Sequence, residues 1–427
     1  MDKQIRERIK LIQQGQIPVG YKKSEFGIFP CDWITDKAFS ELFVFYNGLG
    51  KSREELSTEG VEYLHYGDMH RSDYNIIYYD QYSSLPKYNI MLKGNETYLM
   101  KDGDIAFLDA SEDLEGTSRS VLIVNPENRP FIAGLHIIFA ESRGAEFFKY
   151  YKQYLTIPEY IQKQFRRLAV GFKVYGINKE TLPKIKCAFP CNVCEQKRIS
   201  EILMKWDKAV ELQKKLVEKL KLSKTLKVRM IIKNVSEQSK FTPLSEYLTP
   251  RNEMQTPSSD APLMAFIANI GISEKGKRFD RSPLIKNKDK EYKRTELNDF
   301  IYSSNNLDVG SIGLNKYGTA VISDVYEIFK TKSNVIPSFI NEVIQLPENI
   351  YKILKYRQGA LYGQYRIHPD DFLKVEVKVP TIEEQKTISS IILCFEKSIE
   401  LESKKLEKLH LQRKIIQRFL LNGIIRV

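Results

Sequence analysis

The chain has 427 residues, 42% of them hydrophobic, which is too long for one compact core and too apolar for wholesale disorder. Its net charge of +12 and pI of about 9.1 favour a polyanionic partner, with a merely basic surface as the bland alternative. No apolar run approaches the roughly 20 residues that a membrane helix needs. The start, Met1-Asp2-Lys3-Gln4-Ile5-Arg6, lacks the apolar core of a signal peptide, so no membrane partner and a cytoplasmic location are expected.

In chain order, a short helical segment is expected over 1–16. From Ile17 to Ala188, short runs separated by Gly, Asn, Asp and Ser read as strands: Val61–Leu64, Asp104–Leu108, Ser120–Val124 and Leu135–Phe139. Short helices are expected around Glu146–Leu155 and through Tyr160–Lys163. Val193–Val235 contains no Gly or Pro and is rich in Lys, Leu and Glu, so it reads as one long helix. Ser236 to Lys378 then repeats the earlier order in shorter form. Ser40-Glu41-Leu42-Phe43 is echoed by Ser245-Glu246-Tyr247-Leu248, Asp104-Ile105 by Asp308-Val309, and Tyr175-Gly176-Ile177 by Tyr365-Arg366-Ile367. A second long helix is expected from Glu383 to about Leu421, ending at Asn422-Gly423.

The two helices are copies. Laying Gln196 on Gln385, an offset of 189 (385 − 196), also matches Ile199 with Ile388, Ser200 with Ser389, Lys208 with Lys397, Leu212 with Leu401 and Leu220 with Leu409. Each has an apolar seam stepping four and three: Ile199, Leu203, Trp206, Val210 in one, and Ile388, Ile392, Phe395, Ile399 in the other. That is coiled-coil spacing. Polar residues interrupt the seams at matching places, Gln213 with Glu402 and Lys224 with Arg413. In an antiparallel pair about a twofold, setting Gln213 against Arg413 sets Lys224 against Glu402, and such residues fix register. A solvated face with the seam shifted is the alternative.

Several chemical motifs are decoys. Cys187, Cys191 and Cys194 hint at zinc, yet a fourth ligand is missing and the second copy has no cysteine there. Gly271-Ile272-Ser273-Glu274-Lys275-Gly276-Lys277 matches a phosphate-loop core, but Arg278 stands where Ser or Thr should follow. Asp370 with Glu376-Val377-Lys378 superficially suggests a metal nuclease, at too short a spacing. His65, His70, His136, His368 and His410 are scattered, and no methyltransferase motif appears.

With these parts in place the chain resembles the specificity subunit of type I restriction–modification systems. The marks are Gly20-Tyr21-Lys22-Lys23-Ser24-Glu25-Phe26-Gly27 leading to Pro30-Cys31-Asp32-Trp33, the Pro380-x-x-Glu383-Glu384-Gln385 start of the second helix, and Leu420-Leu421-Asn422-Gly423-Ile424-Ile425-Arg426-Val427. Cys191-Asn192-Val193-Cys194-Glu195-Gln196 departs from the usual Pro-x-x-Glu-Glu-Gln form.

The resemblance implies an α+β fold of two mixed α/β target recognition domains separated by a long antiparallel two-helix coiled coil, with a pseudo-twofold repeat. The implied boundaries are 17–188 and 236–378 for the recognition domains, 189–235 for the central helix and 379–427 for the C-terminal helix. It implies a non-catalytic subunit that reads a bipartite site on double-stranded DNA and docks two methyltransferase (M) subunits and motor–nuclease (R) subunits. No cofactor is expected in this chain; S-adenosylmethionine, ATP and Mg2+ belong to the partners. The alternatives are a specificity subunit of a type IIB/IIG-like system, an enzyme with its own nuclease site, or a scaffold that binds only proteins. Candidate DNA contacts are Lys51, Arg53, His70, Arg71, Arg119, Arg166, Arg167 and Lys173 in the first module. In the second they are Arg251, Lys277, Arg278, Lys316, Tyr317, Arg357 and Gln364. Arg and Gln suit base edges, and Lys suits phosphate.

Overall fold

The computed structural model describes residues 3–71, 75–81, 85–111, 116–171, 175–235, 239–268, 270–274, 290–303, 305–307, 310–358 and 366–427. The chain gathers into two compact units, Met1–Gln213 with Leu406–Val427, and Lys214–Lys405. Each unit therefore owns one stretch of each long helix. The first helix covers 43 residues, Val193–Val235, and the second 40, Ile382–Leu421. Thr381 caps the second: its backbone N–H donates to Glu384 Oε2 at 3.0 Å, and its hydroxyl to the same oxygen at 2.8 Å. Gly423 ends it in the left-handed region at φ +65°.

The first unit is built on a five-stranded sheet in the order Phe43–Asn47, Ile137–Ser142, Ile105–Leu108, Ser120–Val124, Ile76–Tyr78. Every neighbouring pair is antiparallel except the last, which is parallel. Alternation along Ile105–Leu108 sends Ile105 and Phe107 into one core and Ala106 and Leu108 into the other. With both faces covered, the strand reads as a continuous apolar run rather than an alternating one. The first core also takes Ile199 and Leu203 of one long helix and Leu420 and Leu421 of the other. Phe39, Phe43 and Phe107 are at most 1% exposed there, each contributing about 1.5–3 kcal/mol by burial. The helix expected at Glu146–Leu155 is a tight 3-10 run over Lys149–Tyr154. The one expected at Tyr160–Lys163 is longer, Glu159–Leu168, burying Ile161 and Phe165 one turn apart. In the N-terminal segment the helix is Lys3–Gln13.

The second unit repeats the plan. Its four-stranded sheet runs Leu248–Pro250, Tyr326–Thr331, Phe300–Ser303, Ile312–Leu314, all antiparallel. This is the order of the first four strands of the other unit. Phe300 and Tyr302 enter a core with Val228, Ile232, Ile388 and Ile392 of the long helices, while Ile301 faces a smaller cluster.

Strand order corrects one expected echo. Ile105–Leu108 corresponds to Phe300–Ser303, so the counterpart of Asp104 is Asp299; Asp308 and Val309 lie outside the described residues, as does Tyr365. Both aspartates close the same turn. Asp104 Oδ2 accepts from the Lys101 N–H at 2.8 Å, and Asp299 Oδ2 from the Glu296 N–H at 2.7 Å.

Candidate nucleic-acid interface and its framework

The matched sequences Glu195-Gln196-Lys197 and Glu384-Gln385-Lys386 at the two helix starts prove to be staples. Gln196 is fully buried; its Oε1 accepts from the Phe148 N–H at 2.8 Å, and its Nε2 donates to the carbonyls of Glu146 at 2.7 Å and Pro190 at 2.8 Å. Gln385, 1% exposed, repeats this in its own unit. It accepts from the Ile336 N–H at 2.9 Å and donates to the carbonyls of Pro380 at 3.0 Å and Asn334 at 3.4 Å. Each amide satisfies backbone groups that burial would otherwise leave unpaired. The sequence displayed both glutamines; only their burial reveals the task.

The seam polars pair differently from expectation. In the first unit Arg413 binds Asp207, which also accepts from the Tyr154 hydroxyl at 2.9 Å. In the second, Lys224 binds Glu342 at 2.7 Å and Glu396 at 3.3 Å. The cations Lys224 and Arg413 differ by the repeat offset, and so do their carboxylates Asp207 and Glu396. Within each unit the partners run in opposite directions: Glu195 with Arg426 precedes Asp207 with Arg413, and Lys224 with Glu396 precedes Lys227 over Phe395. The repeat offset thus relates the two pairs, but Arg413 and Lys224 bind these carboxylates rather than Gln213 and Glu402. Gln213 is buried at 7% exposure, and Glu402 lies 3.5 Å from Lys405. Burial pulls the Lys224 ammonium down, but Glu342 and Glu396 outweigh it and hold its pKa above the usual value. Burial pushes Glu396 up, and Lys316 with Lys224 overcomes this to hold it below the carboxylate range.

Among the described residues, only the first unit carries a clamp of three sequence-distant groups. Arg426 donates from Nε to Glu195 at 2.6 Å and from Nη2 to Asp32 at 2.7 Å. Tyr21 donates to the Gly423 carbonyl at 2.6 Å and Arg8 to the Ile424 carbonyl at 2.8 Å.

Around this framework the candidate contacts divide. Lys51 and Arg53 sit on a loop held by Tyr63, which is fully buried. The Tyr63 hydroxyl donates to the Leu49 carbonyl and accepts from the Lys51 N–H at 3.0 Å and the Leu135 N–H at 2.7 Å. A Cβ on Gly48 would strike the Gly134 carbonyl, so this close approach needs glycine. Lys51 pairs with Glu55 at 2.8 Å, Arg53 with Asp68 at 3.3 Å and Arg166 with Glu159 at 2.6 Å. Such surface pairs are worth about 0–1 kcal/mol, so a phosphate can displace the carboxylate. His70 and Arg119 line a cavity of about 350 Å³ with Ser118 and Gln162. Arg167 is exposed, Arg357 is half-buried, and Tyr317 is 51% exposed. Lys316 pairs with Glu396 at 2.9 Å. Lys173, Lys277, Arg278, Gln364 and the Arg71 side chain lie outside the described residues.

Arg251 is a correction. It is 6% exposed and donates to Asp299 at 3.1 Å and Glu296 at 3.0 Å. A guanidinium neutralised and enclosed in this way holds the turn rather than DNA. Asn315, fully buried, likewise shapes the turn that presents Tyr317, accepting from the Tyr317 N–H at 2.9 Å.

The decoys disperse. Cys187 is buried, with its thiol pushed up by burial, while Cys191 and Cys194 are exposed. Among the described residues no group of three or more His, Cys, Asp or Glu side chains is placed to hold a metal. Lys378 lies over the Phe241 ring at 5.1 Å. Gly271–Ser273 is a hairpin strand; the rest of the phosphate-loop match, from Lys275 on, is outside the described residues. Among the described residues no helix is long and apolar enough to cross a membrane. The histidines, by contrast, are less scattered than their spacing suggests. His65, His70 and His136 surround Tyr66, with ring centroids 4.3, 6.3 and 5.4 Å away. Burial, helped by Arg53, lowers the pKa of His65.

Comparison with known proteins agrees with this framework. Residues 265–411 match the family model described as "Type I restriction modification DNA specificity domain". The chain is 26% identical over 204 residues to the specificity subunit of the type I restriction enzyme MjaVIII of Methanocaldococcus jannaschii, covering 48% of this chain. That alignment spans only 46% of the relative's length. The fold is similar to the S subunit of a type I restriction–modification system from M. genitalium. The TM-score is 0.50 at 13% identity, over 91% of this chain and 96% of that one. It is also similar to a chain from a structure on complex assembly and conformational transition of the type I R-M system. There the TM-score is 0.56 at 11% identity, over 93% of this chain and 99% of that one. These two likenesses concern the α+β fold; within residues 265–411 the chain carries a match to the type I restriction modification DNA specificity domain, and it is similar to a type I specificity subunit over about half its length.

Proposed function

We propose that this chain is the non-catalytic, sequence-reading subunit of a type I restriction–modification complex. The modules 17–188 and 236–378 each read one half of a bipartite site on double-stranded DNA. The helices 189–235 and 379–427 pair as an antiparallel coiled coil that sets the unread gap. S-adenosylmethionine, ATP and Mg2+ act on the partner subunits, in the cytoplasm. The observation that carries this reading is the repeated staple. Gln196 and Gln385 anchor two similar frameworks by the same hydrogen bonds, while the loops between the anchors differ, as suits two readers of different words.

Docking of two methyltransferase subunits has its own support. The first unit exposes Leu212, Leu411 and Ile415 on its helical stretches, and the second exposes Leu401, Leu222 and Leu226. The repeat offset carries each residue of one set onto one of the other. Exposed apolar side chains kept in both copies suit two identical partners.

The test is to produce the chain with its methyltransferase partners and map methylated bases across the host genome. Two short half-sites with a fixed gap are expected, and salt-sensitive binding of that duplex in a mobility shift. Modification or cleavage of DNA by the isolated chain would sink the reading in favour of an enzyme. Cleavage by the complex at a fixed distance from the site would favour a type IIB/IIG-like system.

A further inference from the structure

We propose that His136, outside the contacts expected from sequence, reads a base in the first module, with Asp109 as its positioning residue. The inference rests on the DNA-recognition reading above.

His136 has φ +59°, a left-handed conformation unusual for a side-chain-bearing residue. Such strain persists only where the surroundings impose it, and here they do. Gly134 is packed so closely that a Cβ would strike the Leu64 carbonyl. The Leu135 N–H is held by the buried Tyr63 hydroxyl at 2.7 Å, and the Ile137 N–H by the Gly134 carbonyl at 3.2 Å. The Asp109 N–H donates to the His136 carbonyl at 3.1 Å. Tyr63 therefore fixes two neighbouring turns at once, the one bearing Lys51 and Arg53 and the one bearing His136. A reader mounted on a turn pinned at four points keeps its aim without ordering cost on binding.

The chemistry of the ring is equally constrained. His136 Nδ1 lies 2.9 Å from Asp109 Oδ1. An ionised carboxylate only accepts, so Nδ1 carries the hydrogen and Nε2 of the neutral ring is an acceptor. Among the described residues Nε2 has no hydrogen-bond partner, and the side chain is 45% exposed. In the major groove an acceptor of this kind matches the exocyclic amine of cytosine or adenine and is rejected by guanine and thymine carbonyls. Tyr66, standing edge-on to the ring at 5.4 Å, limits its rotation. A cleft of about 690 Å³ opens beside the pair, lined by Gly48, Gly50, Asp109, His136 and Asn178. It leaves room for a base edge to approach.

A structural role and a reading role part company in His136→Gly. Glycine adopts φ near +60° without strain. The full complex carrying this variant is expected to keep or raise its Tm. Genome methylation mapping should show wider base tolerance at one position of one half-site, with discrimination there falling roughly tenfold. The other half-site and the gap stay unchanged. Asp109→Ala leaves the ring in place but unoriented, so a smaller loss is expected at the same position. A lower Tm with evenly weakened methylation would mean that His136 only braces the fold, and an unchanged motif at normal Tm would equally overturn the proposal. If the wild-type complex leaves no bipartite pattern, the DNA-recognition reading falls and takes this one with it. A wild-type pattern that survives both variants intact overturns only the role of His136.

Discussion

The two helix starts, at Gln196 and at Gln385, share three hydrogen bonds and differ in how their ends are secured. The first is clamped from outside by Arg426, which joins Glu195 to Asp32. The second is capped from within, by Thr381 and Glu384. The shared part is what any module of this kind needs to mount a sheet on a helix. The unshared part shows that each copy then solved its own end problem. Duplicated frameworks keep the bonds that satisfy buried backbone and release the rest.

The largest effect should come from breaking the shared part. Gln196→Ala and Gln385→Ala each strand buried backbone groups, at a cost of about 2–4 kcal/mol. Backbone hydrogen exchange should show the loss confined to the unit that carries the substitution, and strongly unequal losses would break the equivalence. Next is a change that touches one copy only. Gly423→Ala places a Cβ 2.5 Å from Pro30 Cδ at φ +65°, and should cost about 2 kcal/mol in the first unit alone. A matching loss of protection in the second unit would deny that the clamp is private to the first.

The smallest effect concerns the repeated ion pairs. Asp207→Asn and Glu396→Gln should each cost about 1 kcal/mol, since the pairs are partly exposed. Exchanging the charges of Asp207 and Arg413 together should recover much of the loss in a double-mutant cycle. The pH dependence has a definite sign. Glu396 is held below its unfolded value, so its contribution is fully present above about pH 4.5. It is lost as pH falls through the lower folded value. Glu396→Gln should flatten that acid limb of a chemical-denaturation series, and an unchanged limb would remove Glu396 from the account.

Much of this architecture was legible from spacing. The helix limits followed from the absence of Gly and Pro, and the repeat offset located both staples. What spacing concealed was reach. Arg413 and Lys224 are long side chains, and each finds a carboxylate well removed along the facing helix from the expected Gln213 or Glu402. Asp104-Ile105 finds its sequence echo in Asp308-Val309, whereas strand order pairs Asp104 with Asp299. Arg251 reads as a DNA contact in sequence because nothing local announces that Asp299 and Glu296 will enclose it. His136 reads as one of five scattered histidines because its neighbours Tyr66 and Asp109 are distant from it in sequence.

The Arg426 clamp carries a consequence for synthesis. The first unit takes its closing stretch from Leu406–Val427, and the whole of Lys214–Lys405 must be translated before that stretch exists. At ~5–20 residues per second this is a delay on the order of ten to forty seconds. During that wait Glu195 and Asp32 lack their arginine, and the places of Leu420 and Leu421 in the core stand open. The module synthesised first is then the one completed last.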